Sequence, residues 1–182
     1  LNELTSAQVT EIEVADVAVL GTSQVRLLDD DVLGALNSAQ MDALTTAQVV
    51  ALQAGQYTAL TSAQIGYLNT VQVAAIESAD IAALSSAQVS GLSPAQVVEL
   101  TTAQVVALST AELVALTTDQ AQAITTQQAY ALTTAQVVAV ATDDFAAINT
   151  ASVAALQTAQ IAALVTVQAQ ALTTAQSLAL TT

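Results

Sequence analysis

The 182-residue chain has no cysteine, histidine, lysine or tryptophan, and its single positive side chain is Arg26. Without cysteine there is no disulfide and no thiolate metal site, so cysteine usage leaves the redox compartment open. Nucleophilic catalysis needs a His, Cys or Lys partner or a poised carboxylate pair. Only carboxylates and hydroxyls remain here, so neither an enzyme nor a cofactor is expected. Fifteen acids against one base give a formal charge of −14. That argues against nucleic acid as a partner, because phosphate binding takes Lys and Arg, and it disfavours anionic membrane surfaces for the same reason. The four aromatics, Tyr57, Tyr67, Tyr130 and Phe145, are too few to build a core, which falls to Leu, Val, Ile and Ala. At 54% hydrophobic and 9% charged the chain is no ordinary disordered segment. Polar Thr, Ser and Gln interrupt every apolar run well short of the roughly 18 to 20 residues a spanning helix needs, so membrane insertion is not expected.

What is present is a repeat. A Leu, Ile or Val stands at every eighth residue from Leu4 to Leu180, 23 times without an insertion, and residues 1–182 read as one continuous array. With octad phases a to h and the aliphatic at d, the commonest unit is the Val97–Gln104 type. Phase e is a capping-type residue in 17 of 23 octads, f is Ser or Thr in 19 of 23, and h is Gln in 16 of 22. Phases c and g are mostly Ala. A run such as Thr101-Thr102-Ala103-Gln104 is a capping box: the e hydroxyl caps the third amide and the Gln reaches back. The only proline agrees, since Ser93-Pro94-Ala95-Gln96 places Pro94 at the first helical position, where its missing amide costs nothing. A register with the cap at f would put Pro94 on the cap itself.

One continuous helix fails on geometry, because eight residues overshoot two helical turns by roughly 80° and the d residues would spiral. A β-solenoid fails on composition, since Ala and Gln are poor strand formers and a to d do not alternate. The expectation is an all-α solenoid of very short capped helices. Alternate octads differ: Leu33, Ile65, Ile81, Leu113, Phe145 and Ile161 occupy one class at phase a, and the four acids at h (Asp16, Asp80, Glu112, Asp144) also fall in a single class of alternate octads. Grouping by three shows no comparable pattern. The units therefore pair into about 11 sixteen-residue coils, a rod on the order of 90 to 110 Å at a helix spacing of about 8 to 10 Å.

Stretches such as Ala43–Ala51, Glu99–Ala107 and Ala131–Ala139 resemble the Ala-Leu-Thr-Thr-Ala-Gln-Val octapeptide arrays of very large secreted or surface proteins of proteobacteria, described as adhesin-like or haem-utilisation-like. The resemblance spans nearly the whole chain and departs from pattern in the N-terminal quarter, at Val32, Asp29-Asp30-Asp31 and Arg26. It implies an extracellular or cell-surface repeat region and carries over no functional residue. The chain starts and stops in mid-repeat, at Thr181 and Thr182, as a piece of a longer array would.

The expected function is structural: a rod or self-associating filament element with itself as partner, end to end or laterally. In a paired coil the apolar b residues of one helix layer, Val50, Val98, Val114, Tyr130 and Leu178, would form an outer strip suited to self-association, and an aspartate at both 98 and 114 would abolish assembly. The alternative is a recognition module of adhesin type binding a protein or surface ligand. Ice binding through the Thr doublets is a minor alternative, since capping consumes one hydroxyl per octad. Asp29–Asp31 and Asp143–Asp144 could ligate Ca²⁺ but lack the spacing of a known loop, and acids in a first turn more simply complement the helix dipole.

Overall fold

The structure is a computed structural model that describes residues 1–180; Thr181 and Thr182, and with them the mid-repeat stop, lie outside the described residues. It is all-helical, with 22 helices of four to six residues and no strand among the described residues. In chain order they are α1 Ser6–Thr10, α2 Val14–Ala18, α3 Thr22–Val25, α4 Asp30–Ala35, α5 Ser38–Ala43, α6 Thr46–Ala51, α7 Ala54–Ala59 and α8 Ser62–Tyr67. Next come α9 Thr70–Ala75, α10 Ser78–Ile81, α11 Ser86–Ser90, α12 Pro94–Glu99, α13 Thr102–Ala107, α14 Thr110–Val114 and α15 Thr118–Ala123. The last are α16 Thr126–Ala131, α17 Thr134–Ala139, α18 Thr142–Ala147, α19 Thr150–Ala154, α20 Thr158–Ala163, α21 Thr166–Ala171 and α22 Thr174–Ala179.

Each octad begins its helix at e, as the capping pattern predicts. At α13 the Thr101 hydroxyl accepts from the Gln104 amide while the Gln104 side chain accepts from the Thr101 amide, and at α12 Ser93 is the cap with Pro94 inside it. Where e has no suitable oxygen, half the box survives: the Gly21 amide still donates to Gln24 Oε1 at 2.8 Å. Two extended residues then make the corner, for example Leu108 at φ −61°, ψ 137° followed by Ser109 at φ −76°, ψ 167°. Helices this short do not persist alone because nucleation is costly, so the caps and the packing between turns hold them.

The packing corrects the sixteen-residue coil. Every extensive helix contact joins a helix to the third one along, α1 with α4, α2 with α5, α3 with α6 and so on to α19 with α22. The turn is therefore three octads, 24 residues, and the described helices make about seven turns rather than 11. At about 8 to 10 Å per turn the rod is about 60 to 70 Å long. The physical reason is the corner. A two-helix coil needs chain reversal at every octad, which takes a tight turn. Two extended residues, with no positive φ among the described residues, bend the path without reversing it. Repeated identical bends close a triangle.

The triangle has a first side (α1, α4, α7, α10, α13, α16, α19, α22), a second side (α2, α5, α8, α11, α14, α17, α20) and a third side (α3, α6, α9, α12, α15, α18, α21). The a and d residues of all three sides form one core running from Val9 to Leu156, with Leu4, Ile161, Leu164, Leu172 and Leu180 packed against its ends. Phases f, g and b face outward and the c alanines are mostly half-buried. The alternation seen at phases a and b has no counterpart in the three-sided packing.

Candidate interaction surface

The interior is polar at one phase only. From Gln40 onward the h glutamines are buried, and each acts twice. Gln104 accepts from the Thr101 amide at 2.7 Å, then donates through Nε2 to the Val73 carbonyl at 2.9 Å and the Ile76 carbonyl at 2.7 Å in the turn below. The same offsets, 31 and 28 residues back, recur at Gln40, Gln64, Gln88, Gln136 and Gln168, among others. A helix of six residues leaves its last carbonyls without intrahelical donors. Each glutamine thus caps the start of its own helix and the end of the helix four places earlier, so the rungs tie one turn to the next.

Four interior rungs lack glutamine. At Asp80 the gap is partly filled from elsewhere: the buried Tyr57 hydroxyl donates at 2.7 Å to the Val49 carbonyl, the acceptor a glutamine at 80 would have taken. Burial, then the negative charges of Asp80 and Glu77, hold the Tyr57 phenol above its ordinary range. Asp80 is itself raised by burial and secondarily by Glu77. Asp144 accepts from Thr118 Oγ1 at 2.7 Å. Ser152 donates to the Ile124 carbonyl at 2.7 Å, keeping the nearer half of its rung. At Glu112 the carboxylate accepts from the Ser109 amide and makes no bond to the turn below. No buried side-chain nitrogen or oxygen among the described residues lacks a partner. The core also holds an apolar void of about 20 Å³ among Val89, Leu92, Val97 and Leu100, with room for no more than a single water.

The five residues expected to mediate self-association are exposed, from 41% at Val50 to 65% at Leu178. They do not form a strip. Val50 and Val98 lie on the third side, Val114 on the second, and Tyr130 and Leu178 on the first, because a 16-residue spacing walks round a 24-residue turn. The acidic groups serve the helices: Asp29 Oδ1 accepts from the Val32 amide at 3.1 Å, and Asp30, Asp31, Asp143 and Asp144 stand in first turns. Among the described residues no group of three or more acids could hold a metal ion. Nor is any described helix long and apolar enough to cross a membrane.

The octad's consensus now has a role at every position, and a family model built on that consensus, the ALTTAQ repeat, matches residues 9–46, 73–110 and 137–174, well over half of the chain. The chain belongs to the ALTTAQ repeat family. No curated protein and no solved structure matches it. In the ALTTAQ letters, the first Ala is half-buried, Leu fills the core at the corner, the first Thr caps, the second Thr opens the helix, the second Ala faces outward, and Gln is the rung.

That outward Ala carries the three-fold signal that grouping by apolar size does not reveal. On the second side of this ALTTAQ array it is Ala at every turn: Ala15, Ala39, Ala63, Ala87, Ala111, Ala135 and Ala159, all exposed. The first side has Asp31, Gly55 and Gln127 at that phase, and the third has Ser23, Val71, Asp119, Asp143 and Val167. From α8 to α20 the second side exposes no charge, its one acid, Glu112, being buried. Along it Ser62 and Gly66 of α8 meet α11 so closely that a Cβ on Gly91 would stand 2.6 Å from the Ser62 carbonyl oxygen. From α8 to α20 the side is uncharged and, apart from Tyr67, presents mainly hydroxyls and methyls.

Proposed function

We propose that this ALTTAQ array is a structural, non-enzymatic rod of a secreted or cell-surface bacterial protein, and that it associates with copies of itself. The observation that carries the reading is the second side. A molecule with a formal charge of −14 repels its copies, and from α8 to α20 this side offers five turns, about 40 to 50 Å, with no exposed charge. The interior supports a structural role as well, since its polar groups are engaged in holding turns together. The secreted setting rests on the resemblance to octapeptide arrays of surface proteins.

The test is negative-stain microscopy with sedimentation on the wild type and two triple variants. Ala87→Glu, Ala111→Glu and Ala135→Glu place acids on the second side at the second helical position, where the helix dipole favours them. The array itself carries acids at that phase in Asp31, Asp119 and Asp143. Ala103→Glu, Ala151→Glu and Ala175→Glu do the same on the first side as a control. Uniform fibres or dimers in the wild type, lost only in the second-side variant, are expected. Discrete single particles at every concentration favour a recognition module and overturn self-association. Loss in the control alone keeps self-association and moves it to another side.

A further inference from the structure

We propose that the groove around Tyr130, on the first side of the rod, binds a neutral oligosaccharide. It is an open groove of about 580 Å³, lined by Thr102 of α13, Thr126, Gln127 and Tyr130 of α16, and Gln157 at the cap of α20. It crosses from α13 past α16 to the end of α19, two spacings between turns or about 16 to 20 Å, the length of a short oligosaccharide. Three of its residues leave the octad pattern, and nothing in the fold asks for them. Gln127 is exposed at phase g, which is mostly Ala. Tyr130 is 58% exposed at phase b, whereas Tyr57, also on the first side, is buried and bonded to the Val49 carbonyl. Gln157 stands at e, where a capping residue is usual, and its side chain does not cap α20. Its Nε2 donates instead to the Tyr130 carbonyl at 2.8 Å, 27 residues back. A forgone cap lowers stability. Departures of this kind, drawn from separate octads and brought together in one groove, mark a site and not a variation of the rod.

The chemistry of the lining selects the ligand. It holds two hydroxyls, two carboxamides and one phenol, and no charged side chain among the described residues. α13, α16 and α19 carry no charge either. Nothing here pairs with an ion, and a formal charge of −14 repels anions, so the ligand is neutral. A hydrocarbon chain would strip water from the hydroxyls and carboxamides without replacing it. A proline-rich peptide docks in a groove lined by several aromatic rings, and Tyr130 is the one ring in this lining. A sugar matches both parts. The C–H face of a pyranose stacks on an aromatic ring, and its hydroxyls donate and accept as carboxamides and Thr hydroxyls do. The Thr101 and Thr125 hydroxyls cap their own helices, which leaves Thr102 and Thr126, both exposed, to the ligand.

The experiment is isothermal titration of the full chain with maltohexaose, cellohexaose and mannohexaose, beside hexagalacturonate as an anionic counterpart and a polyproline peptide as the competing class. Tyr130→Val installs the residue that α13 has at this phase, Val106, and Gln157→Thr restores the usual cap. Tyr67→Val removes an exposed ring on the second side as a control. At least one neutral hexasaccharide is expected to bind, and Tyr130→Val to weaken that binding by about tenfold. Gln157→Thr is expected to weaken it while raising the melting temperature, which separates loss of the site from loss of the fold. Tyr67→Val is expected to bind as the wild type does. Tyr130→Val leaves the second side untouched, so its outcome is independent of self-association. Absence of binding by every neutral hexasaccharide, full-strength binding in either groove variant, an equal loss in Tyr67→Val, or binding of hexagalacturonate or the polyproline peptide alone overturns the proposal.

Discussion

The first turn of the rod, α1 to α3, and a turn in the middle, such as α12 to α14, have the same octad phases and the same extended N-cap residues. Their glutamines behave differently. Gln8 completes its own box, Gln24 makes the half that Gly21 allows, and both stay exposed, whereas Gln96 and Gln104 are buried and reach the turn below. One residue type at one phase thus has a local role everywhere and a long-range role only where another turn lies beneath it. The caps make helices and the rungs make a stack of them.

The sharpest way to break that comparison is to truncate the same residue in both places. Gln104→Ala is expected to cost about 3 to 5 kcal/mol, because two buried carbonyls lose their donors and a cavity remains. Gln24→Ala loses only half a box and is expected to cost about 0.5 to 1 kcal/mol. Urea unfolding of the two variants checks it, and equal losses would mean the rungs add nothing to the caps. A second pair tests how closely turns approach. Gly91→Ala drives a methyl into the Ser62 backbone and is expected to destabilise by about 1 to 3 kcal/mol. Gly34→Ala, in α4 near the start, meets nothing within 4 Å and is expected to stabilise by about 0.5 to 1 kcal/mol through helix propensity. The two melting temperatures should move in opposite directions.

The smallest effects separate acids at phase h. Asp16 in the first turn is exposed at a helix start, so Asp16→Asn is expected to lose about 0.3 to 1 kcal/mol of dipole interaction. Asp80 is buried, and its carboxyl is raised by that burial and by Glu77. A raised carboxyl favours the folded state when protonated and loses that advantage as pH rises. Asp80→Asn is accordingly expected to raise the melting temperature at pH 7, with the gain fading as pH falls toward the ordinary aspartate value of about 3.9 and absent below it. Thermal melts at pH 7 and pH 3.5 check both signs.

Much of this was legible in advance because it is local. The cap register, the helix length, the buried a and d residues and Pro94 at the first helical position all follow from contacts within one octad. The exposed site residues were legible as exposed but not as neighbours. Val98 and Val114 read as one strip at a 16-residue spacing and fall on different sides at a 24-residue spacing. The alternate-octad contrast in apolar size misled, because core side chains from all three sides meet in one interior and vary there together. The contrast that follows the true period sits at the outward Ala, a position whose size says nothing about the core.

Composition and octad spacing by themselves determined that this is an all-α array of capped short helices with an aliphatic interior, since capping and burial act over fewer than eight residues. The packing of turn on turn sets that three helices close a turn, which side is uncharged from α8 to α20, and that Gln104 reaches Val73 and Ile76. Those depend on the bend at each corner, a small angle that accumulates over 24 residues and leaves no mark on any single octad.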